Sequence, residues 1–282
     1  MLEKTYRDAD HGLGSGDLPI STVIPLFNEE KIVAQNLESL AQFYDQLVGH
    51  GNWLFILVDN GSTDRTPELV KAAMNRWPPS RTVYHPEPNY GAALRVGLLA
   101  ATTKWVFMHD VEQWDLPFME WAWAARHNYD MLMGSKRADP TINEQKAHRR
   151  LLSAGLNGAL QVIFQFSGSD THGPKLLNRD SLDSLIQICR LDRGQFDTEL
   201  VLRAIRAGKR VAEAPIEYRE TRPHRNLMIK KIVWNLLALR RLQLAMRDVP
   251  FEAYVRYHRF TREDVLAKSR YLVPDAREQL RV

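Results

Sequence analysis

A chain of 282 residues that is 44% hydrophobic and 26% charged has ordinary globular composition, enough for one large α/β domain with an appendage. Its formal charge of +4, from 38 basic against 34 acidic residues, is too small an excess to imply a nucleic-acid partner. Cys189 is the single cysteine, which excludes an internal disulfide and fits a reducing cytoplasm, and no run of about 18 apolar residues exists to make a transmembrane helix.

Residues 1–17 are polar and Gly-rich without the apolar core of a signal peptide, and are expected to form a flexible tail. Short β-rich runs then alternate with amphipathic helical stretches. ISTVIPL (20–26) reads as a strand, followed by a helical pattern over about 30–47. WLFILVD (53–59) is nearly continuous in apolar residues, as a strand buried on both faces should be. Asn60-Gly61-Ser62 is turn chemistry, and Asp64 is the expected N-cap of a helix reaching toward Trp77. A short strand (81–85), a small-residue helix (90–101), a strand KWVFMHD (104–110), a helix (116–127) and a strand DMLMGS (130–135) follow. This alternation predicts a parallel sheet with helices on both faces, whose ligands bind at the carboxyl ends of the strands. The polar clusters 25–29, 59–62 and 109–112 all fall at that edge.

After residue 140 the pattern changes. One long helix is expected over 144–166, basic at its start, then a strand-like stretch at 175–177, two helical runs and a strand RVAEAPIEY (210–218). The basic, Leu-, Ile- and Trp-containing segment that follows is long enough for a helix over 226–246, and the tail to Val282 is polar and helical in places. The expected division is therefore a tail (1–17), a domain (18–225) and a C-terminal helical segment (226–282).

FMHDVEQW (107–114) delivers His109, Asp110 and Glu112 to the end of an apolar strand. It is either a polar strand end or a cation site. In one register Asp110 and Glu112 are the paired carboxylates; in another His109 takes the first position and Val111 the second, which would weaken metal binding. The segment 226–247 offers a similar choice. Lys230, Lys231, Arg240, Arg241 and Arg247 alternate with Ile229, Ile232, Val233, Trp234, Leu236, Leu237, Leu239 and Leu242, which suits either an anionic bilayer surface or a helix packed on the domain.

PLFNEE and LVDNGSTDRT, followed in order by NYGAA (89–93), GSKR (134–137) and FDTEL (196–200), resemble the family 2 glycosyltransferases. Within that family the pattern is most like the branch of dolichyl-phosphate mannose synthases and other polyprenyl-phosphate glycosyltransferases. The resemblance covers about residues 19–247 and implies an α/β, GT-A nucleotide-diphospho-sugar transferase fold, a mostly parallel central sheet flanked by helices, with C-terminal amphipathic helices. It further implies an inverting, metal-dependent enzyme that moves a hexose from a nucleotide diphosphate sugar to a polyprenyl phosphate. Such an enzyme would lie peripherally at the cytoplasmic, inner face of an anionic membrane. The same fold with a non-lipid acceptor, or a non-catalytic nucleotide-sugar-binding protein, are the alternatives.

By that resemblance Pro25, Asn28, Glu29, Asp59, Asn60, Gly91 and Asp110 take the nucleotide sugar, with Arg222 and Arg225 on a basic loop over the diphosphate. Asn60 stands where an aspartate is commoner. Asp110 and Glu112 match the metal motif and would hold Mg²⁺ or Mn²⁺, which neutralises charge on the leaving diphosphate. Ser135, Arg137, Arg149 and Ser153 match the acceptor-phosphate positions, where guanidinium groups fork onto phosphate oxygens. Asp197 and Glu199 complete the catalytic set with Asp110, as pocket organisers first and candidate bases second.

Overall fold

The computed structural model describes residues 18–77, 79–112, 114–144, 147–219, 228–247, 249 and 257–269, with the backbone alone at 143–144, 147–154, 219, 228–233 and 235. In chain order, β1 (Ile20–Leu26), α1 (Val33–Val48), β2 (Trp53–Asp59), α2 (Thr66–Met74), β3 (Arg81–Tyr84), α3 (Tyr90–Ala100) and β4 (Trp105–Met108) come first. Then come α4 (Leu116–Ala125), β5 (Met131–Ser135), β6 (Asn143–Glu144), α5 (Ala147–Phe164), β7 (Lys175–Asn178) and α6 (Arg179–Ile188). The last elements are α7 (Phe196–Arg206), β8 (Val211–Pro215), β9 (Tyr218–Arg219), α8 (Met228–Met246), β10 (Tyr257–Arg259) and α9 (Arg262–Leu266). They form two units, one of Met1–Trp114 with Pro174–Phe196 and one of Asp115–Gly173 with Asp197–Val282.

In the first unit the strands run in the order β7-β4-β1-β2-β3. The apolar runs read as strands are strands because both their faces are covered. β1 and β2 pair in parallel along their full seven residues, from Ile20↔Trp53 to Leu26↔Asp59. β4 joins the other side of β1 in parallel, ending at Val23↔Met108. Leu26, Asp59 and Met108 thus finish at one edge. One face is aromatic: the Tyr44 ring of α1 lies 5.7 Å from Trp53, 6.2 Å from Phe55 and 6.3 Å from Phe107. On the other face α3 lies against β1 and β2, touching Val23 and Val58. β7 is antiparallel to β4, with Met108↔Lys175 in register.

In the second unit β10, β8 and β5 run in parallel, with Met131↔Val211 and Tyr257↔Val211 in register. β6 and β9 make a separate two-residue parallel ribbon. Asp115 caps α4 by accepting from Phe118 N–H at 2.9 Å. Trp121 of α4 meets the Phe260 ring at 5.0 Å.

Several expected boundaries move. The stretch 210–218 is two strands, because β8 ends at Pro215 and Glu217 N–H turns aside to Asp115 Oδ2 at 2.7 Å. The strand expected over 104–110 stops at Met108, and the helix expected from residue 30 starts at Val33 after a turn in which Ile32 N–H bonds Glu29 O. Asp64 precedes the N-cap position, which Arg65 occupies without a side-chain cap; Asp64 Oδ1 instead accepts from Thr66 N–H at 2.9 Å. The helix expected to reach Trp77 ends at Met74. Residues 257–259, inside a tail read as polar and helical in places, are a strand. The tail 1–17 lies outside the described residues.

Candidate active site

The donor side is built in the first unit by the loops that follow β1 and β2, which latch onto each other. Asn28 holds a left-handed backbone (φ 56°). Its N–H donates to Ser62 Oγ at 3.1 Å, and its Oδ1 accepts from Thr63 N–H at 2.8 Å. Glu29 N–H donates to Thr66 Oγ1 at 2.7 Å, and Glu30 and Asp64 exchange bonds with the opposite loop's backbone. Such reciprocal bonds satisfy loop backbone that lies too far from any ladder. Asp59 ends β2 half-buried; its Oδ1 accepts from Ser62 N–H at 3.0 Å, leaving its other oxygen for a ligand hydroxyl or N–H.

Three residues expected to touch the nucleotide have structural work. Pro25 is buried inside β1, opposite Val58. Asn60 is 5% exposed, and its Oδ1 accepts from Asn89 N–H at 2.9 Å. Asn89 in turn caps α3, accepting from Ala92 N–H at 3.2 Å, and also accepts from Arg193 N–H at 2.8 Å. Gly91 explains itself through the same contact: a Cβ there would stand 2.8 Å from Arg193 N. Its lack of a side chain admits the 192–193 backbone, which is sufficient reason for glycine without a ligand. Asn89 entered the sequence reading only as the first residue of NYGAA, without a role, and Arg193 did not enter it. Asn89 carries a legible signal, an N-cap residue before a helix; Arg193, at φ 54°, carries none.

The stretch after β4 alternates between media. His109 is 3% exposed and Val111 1%, while Asp110 is exposed and Glu112 half-buried. Burial depresses the His109 pKa to about 4, partly opposed by its bond to Asp110 O, so the imidazole is neutral near pH 7. Its Nδ1 lies 2.8 Å from that carbonyl, and its buried Nε2 has no hydrogen-bond partner. Val111 O accepts from Asn36 Nδ2 at 2.9 Å, which pins the loop. The register in which His109 and Val111 replace the two carboxylates therefore places both side chains indoors.

Among the described residues no group of three or more His, Cys, Asp or Glu stands together as a metal cage. An exposed and a half-buried carboxylate two residues apart suit Mg²⁺ or Mn²⁺ nonetheless, because these hard cations keep waters and take substrate phosphates as their remaining ligands.

The acceptor-side residues belong to the second unit. Ser135 ends β5 and is 1% exposed. Its Oγ accepts from Arg137 N–H at 3.1 Å and Ala138 N–H at 3.0 Å, and lies 2.7 Å from Ser169 Oγ. That hydroxyl holds a turn, and the half-buried Arg137 on the turn is the better placed of the two for an anion. Arg149 and Ser153 lie one helical turn apart on α5, with side chains outside the described residues. Arg222 and Arg225 lie outside them altogether.

Asp197 and Glu199, in the first turn of α7, are 1% and 0% exposed. Glu199 is ion-paired with Arg203, 2.6 Å from its Nη2. Arg203 also donates to Ala245 O at 2.9 Å, and Arg206 donates to Met246 O and Val249 O at 3.1 Å, so α7 caps the C-terminus of α8. A fully buried carboxylate with its own guanidinium is a structural counter-ion, which leaves Asp197 as the candidate organiser or base of the pair.

Residues 21–186 match the family model for glycosyl transferase family 2. The chain is 28% identical over 218 residues to a dolichyl-phosphate beta-glucosyltransferase of Trichomonas vaginalis, covering 71% of this chain and 66% of that protein. It thus spans just under two thirds of that relative's own length. Over 203 residues it is 28% identical to an uncharacterized glycosyltransferase of Mycobacterium tuberculosis, covering 71% and 84%. Among solved structures it resembles a mannosyltransferase of Pyrobaculum calidifontis, determined in complex with GDP-Man and Mn²⁺, at 19% identity and a TM-score of 0.53, covering 83% of this chain and 66% of that one. It also resembles TarS of S. aureus at 13% identity and a TM-score of 0.51, covering 89% and 70%. At these identities the structural likeness is one of fold, the GT-A fold. Since the family model takes in more than half of the chain, from β1 through most of α6, the protein belongs to glycosyl transferase family 2.

Proposed function

We propose that this protein transfers a hexose from a nucleotide diphosphate sugar to a polyprenyl phosphate, with inversion at the anomeric carbon. The observation that carries the reading is the pair of the exposed Asp110 and the half-buried Glu112, at the strand edge where the latched loops after β1 and β2 also end, in a chain of this family. The choice of acceptor is supported by the relative whose name is dolichyl-phosphate beta-glucosyltransferase.

Each residue has a task set by its chemistry. The open oxygen of Asp59 accepts from a ribose hydroxyl or base N–H. Asp110 and Glu112 would hold Mg²⁺ or Mn²⁺, which when bound would neutralise charge developing on the diphosphate. Arg137 and Arg149 take the acceptor phosphate, and Arg222 and Arg225 the diphosphate. A phosphate acceptor is already anionic near neutral pH, so Asp197 orients more than it deprotonates.

A lipid acceptor calls for a surface that meets lipid. Trp234, Leu237, Arg241 and Leu244 form one stripe of α8 and are all exposed, while Leu242 and Met246 on its other side are buried. Among the described residues no helix is long and apolar enough to cross a membrane. The reading is therefore peripheral attachment at an anionic, cytoplasmic membrane face.

The test is turnover of a panel of nucleotide sugars, with and without polyprenyl phosphate and with and without Mn²⁺. Glycosyl-polyprenyl phosphate formed only with metal supports the reading. Transfer to a water-soluble acceptor, or donor binding without turnover, replaces it with one of the alternatives.

A further inference from the structure

Glu213 lies in the middle of the second unit's three strands, opposite Met133 of β5 and Arg259 of β10, and is 1% exposed. None of the donor or acceptor roles uses it. A carboxylate in that position costs several kcal/mol unless its oxygens are hydrogen-bonded. Its donors come from two distant parts of the chain. Ser169, in the loop after α5, donates its N–H to Oε2 at 2.8 Å and its hydroxyl to Oε1. Tyr257, on the C-terminal strand β10, donates its hydroxyl to Oε2. Burial and the neighbouring Glu213 charge both push the Tyr257 pKa up, so the phenol stays a donor.

The network extends to the end of β5. Ser135 Oγ already accepts two backbone N–H groups, so its own proton is the one available to Ser169 Oγ, 2.7 Å away. The hydroxyl chain therefore runs from Ser135 to Ser169 to Glu213. Two further bonds hold the same loop: Asn157 Nδ2 of α5 donates to Ser169 O, and Arg259 of β10 donates to Ser167 O. At the loop's other end Gly173 passes so close to β5 that a Cβ would collide with the Gly134 carbonyl. Residues 167–173 are thereby fixed across the end of the strand whose next turn bears Arg137.

We infer that Glu213, clamped by Tyr257, is a positioning residue for the acceptor side, locking residues 167–173 and the Ser135–Ala138 turn into a single geometry. The C-terminal strand, more than a hundred residues away in sequence, thus sets how Arg137 is presented. The link to the acceptor rests on the reading proposed above; the lock itself does not.

The test uses the full-length chain carrying Tyr257→Phe, which removes the hydroxyl but keeps the ring that lies edge-on to Phe166. Glu213→Gln is measured beside it, and Tyr257→Phe carries the test if the glutamine variant fails to fold. Two readouts are taken: hydrogen exchange at the Ser169 amide, and the KM for polyprenyl phosphate against that for the sugar donor. Losing a bond to a buried charge is expected to accelerate exchange at Ser169 and raise the acceptor KM by about tenfold each, with donor KM within about twofold of wild type. Unchanged exchange, or equal rises in both KM values, overturns the proposal. If the wild type shows no activity toward polyprenyl phosphate, the acceptor reading alone fails. Faster exchange at Ser169 in the variants would then still uphold the lock, and its absence would overturn it.

Discussion

His109 and Asp110 are chain neighbours in opposite media, and the difference decides what each can do. The His109 ring is buried and neutral, so it cannot supply charge, whereas Asp110 is exposed. Asp110→Ala should therefore leave the fold intact, with stability changed by no more than about 0.5 kcal/mol, the usual range for a surface substitution. The same change should abolish the tightening of nucleotide diphosphate binding by Mn²⁺ in calorimetric titrations. Glu112→Ala should do less, since Glu112 is half-buried where Asp110 is exposed. Persistence of the full Mn²⁺ effect in Asp110→Ala would remove the metal assignment. Asn60 presents the reverse case, a residue expected to read the ligand whose carbonyl is held by Asn89 N–H. Asn60→Asp keeps that acceptor and should be the less destabilising of two substitutions in urea unfolding, although it buries a charge. Asn60→Leu strands a part-buried N–H and should cost about 1–3 kcal/mol. Equal stability of the two variants would show that the latch contributes nothing.

At the scale of elements, α7 is bonded to the C-terminal end of α8 through Arg203 and Arg206. Arg203 serves both Glu199 and Ala245 O, with side chains 5% and 0% exposed in the ion pair. Arg203→Ala would leave Glu199 charged and buried without its guanidinium, a change that typically costs about 3–5 kcal/mol. Chemical denaturation should register that loss, and a loss below about 1 kcal/mol would mean that Glu199 finds another partner or a proton. The outer side of α8 is exposed. Arg240 and Arg241 are exposed beside Leu237 and Leu244. Each cation near an anionic surface contributes about 1 kcal/mol, so replacing both with alanine should weaken binding to anionic liposomes roughly thirtyfold. High salt should do the same to the wild type, because the Debye length falls to about 3 Å at 1 M. Wild-type protein that ignores anionic liposomes at low salt would make α8 a packing element only.

At the scale of the whole molecule, the C-terminal segment is part of the fold of its unit. β10 completes the ladder beside β8, Phe260 packs on Trp121, and Arg262 donates to Asp115 Oδ2 at 2.7 Å with side chains 14% and 2% exposed. Ser269 Oγ adds a bond to Glu120 at 2.8 Å. Truncation after Arg247 would open the edge of β8, expose the Trp121 face and leave Glu213 without Tyr257. An unpaired strand edge invites association with other chains. The truncated protein is expected to aggregate on size-exclusion chromatography or to lose its cooperative thermal transition. A monomeric, cooperatively melting product would show that β10 and α9 are dispensable. Membrane attachment is accordingly a question for point variants on α8, since a truncation that removes α8 also removes β10 and α9.

Where a segment's medium is uniform, its residues name it, and the sequence by itself determined such segments. ISTVIPL and WLFILVD are β1 and β2 residue for residue, because continuous apolar runs bounded by turn chemistry have one stable place, inside a covered sheet. Asn89 ahead of the small residues of α3 likewise marks that helix's start through a local bond. The tertiary structure alone decided the rest, because the causes are non-local. Tyr257-His258-Arg259 has no strand pattern and is extended because β8 offers it an open row of backbone groups. The antiparallel direction of β7 follows from where the chain re-enters beside β4, which no periodicity records. Ser135, Glu199 and Asn60 are residue types that suit a binding site, and the structure engages each inside the fold through Ser169, Arg203 and Asn89. A polar side chain's role depends on which partner reaches it first, and for Ser135 and Asn60 that partner lies about thirty residues away. Asp110 was expected as the last residue of a strand and lies two residues beyond β4, and its exposure between the buried His109 and Val111 was decided by the fold.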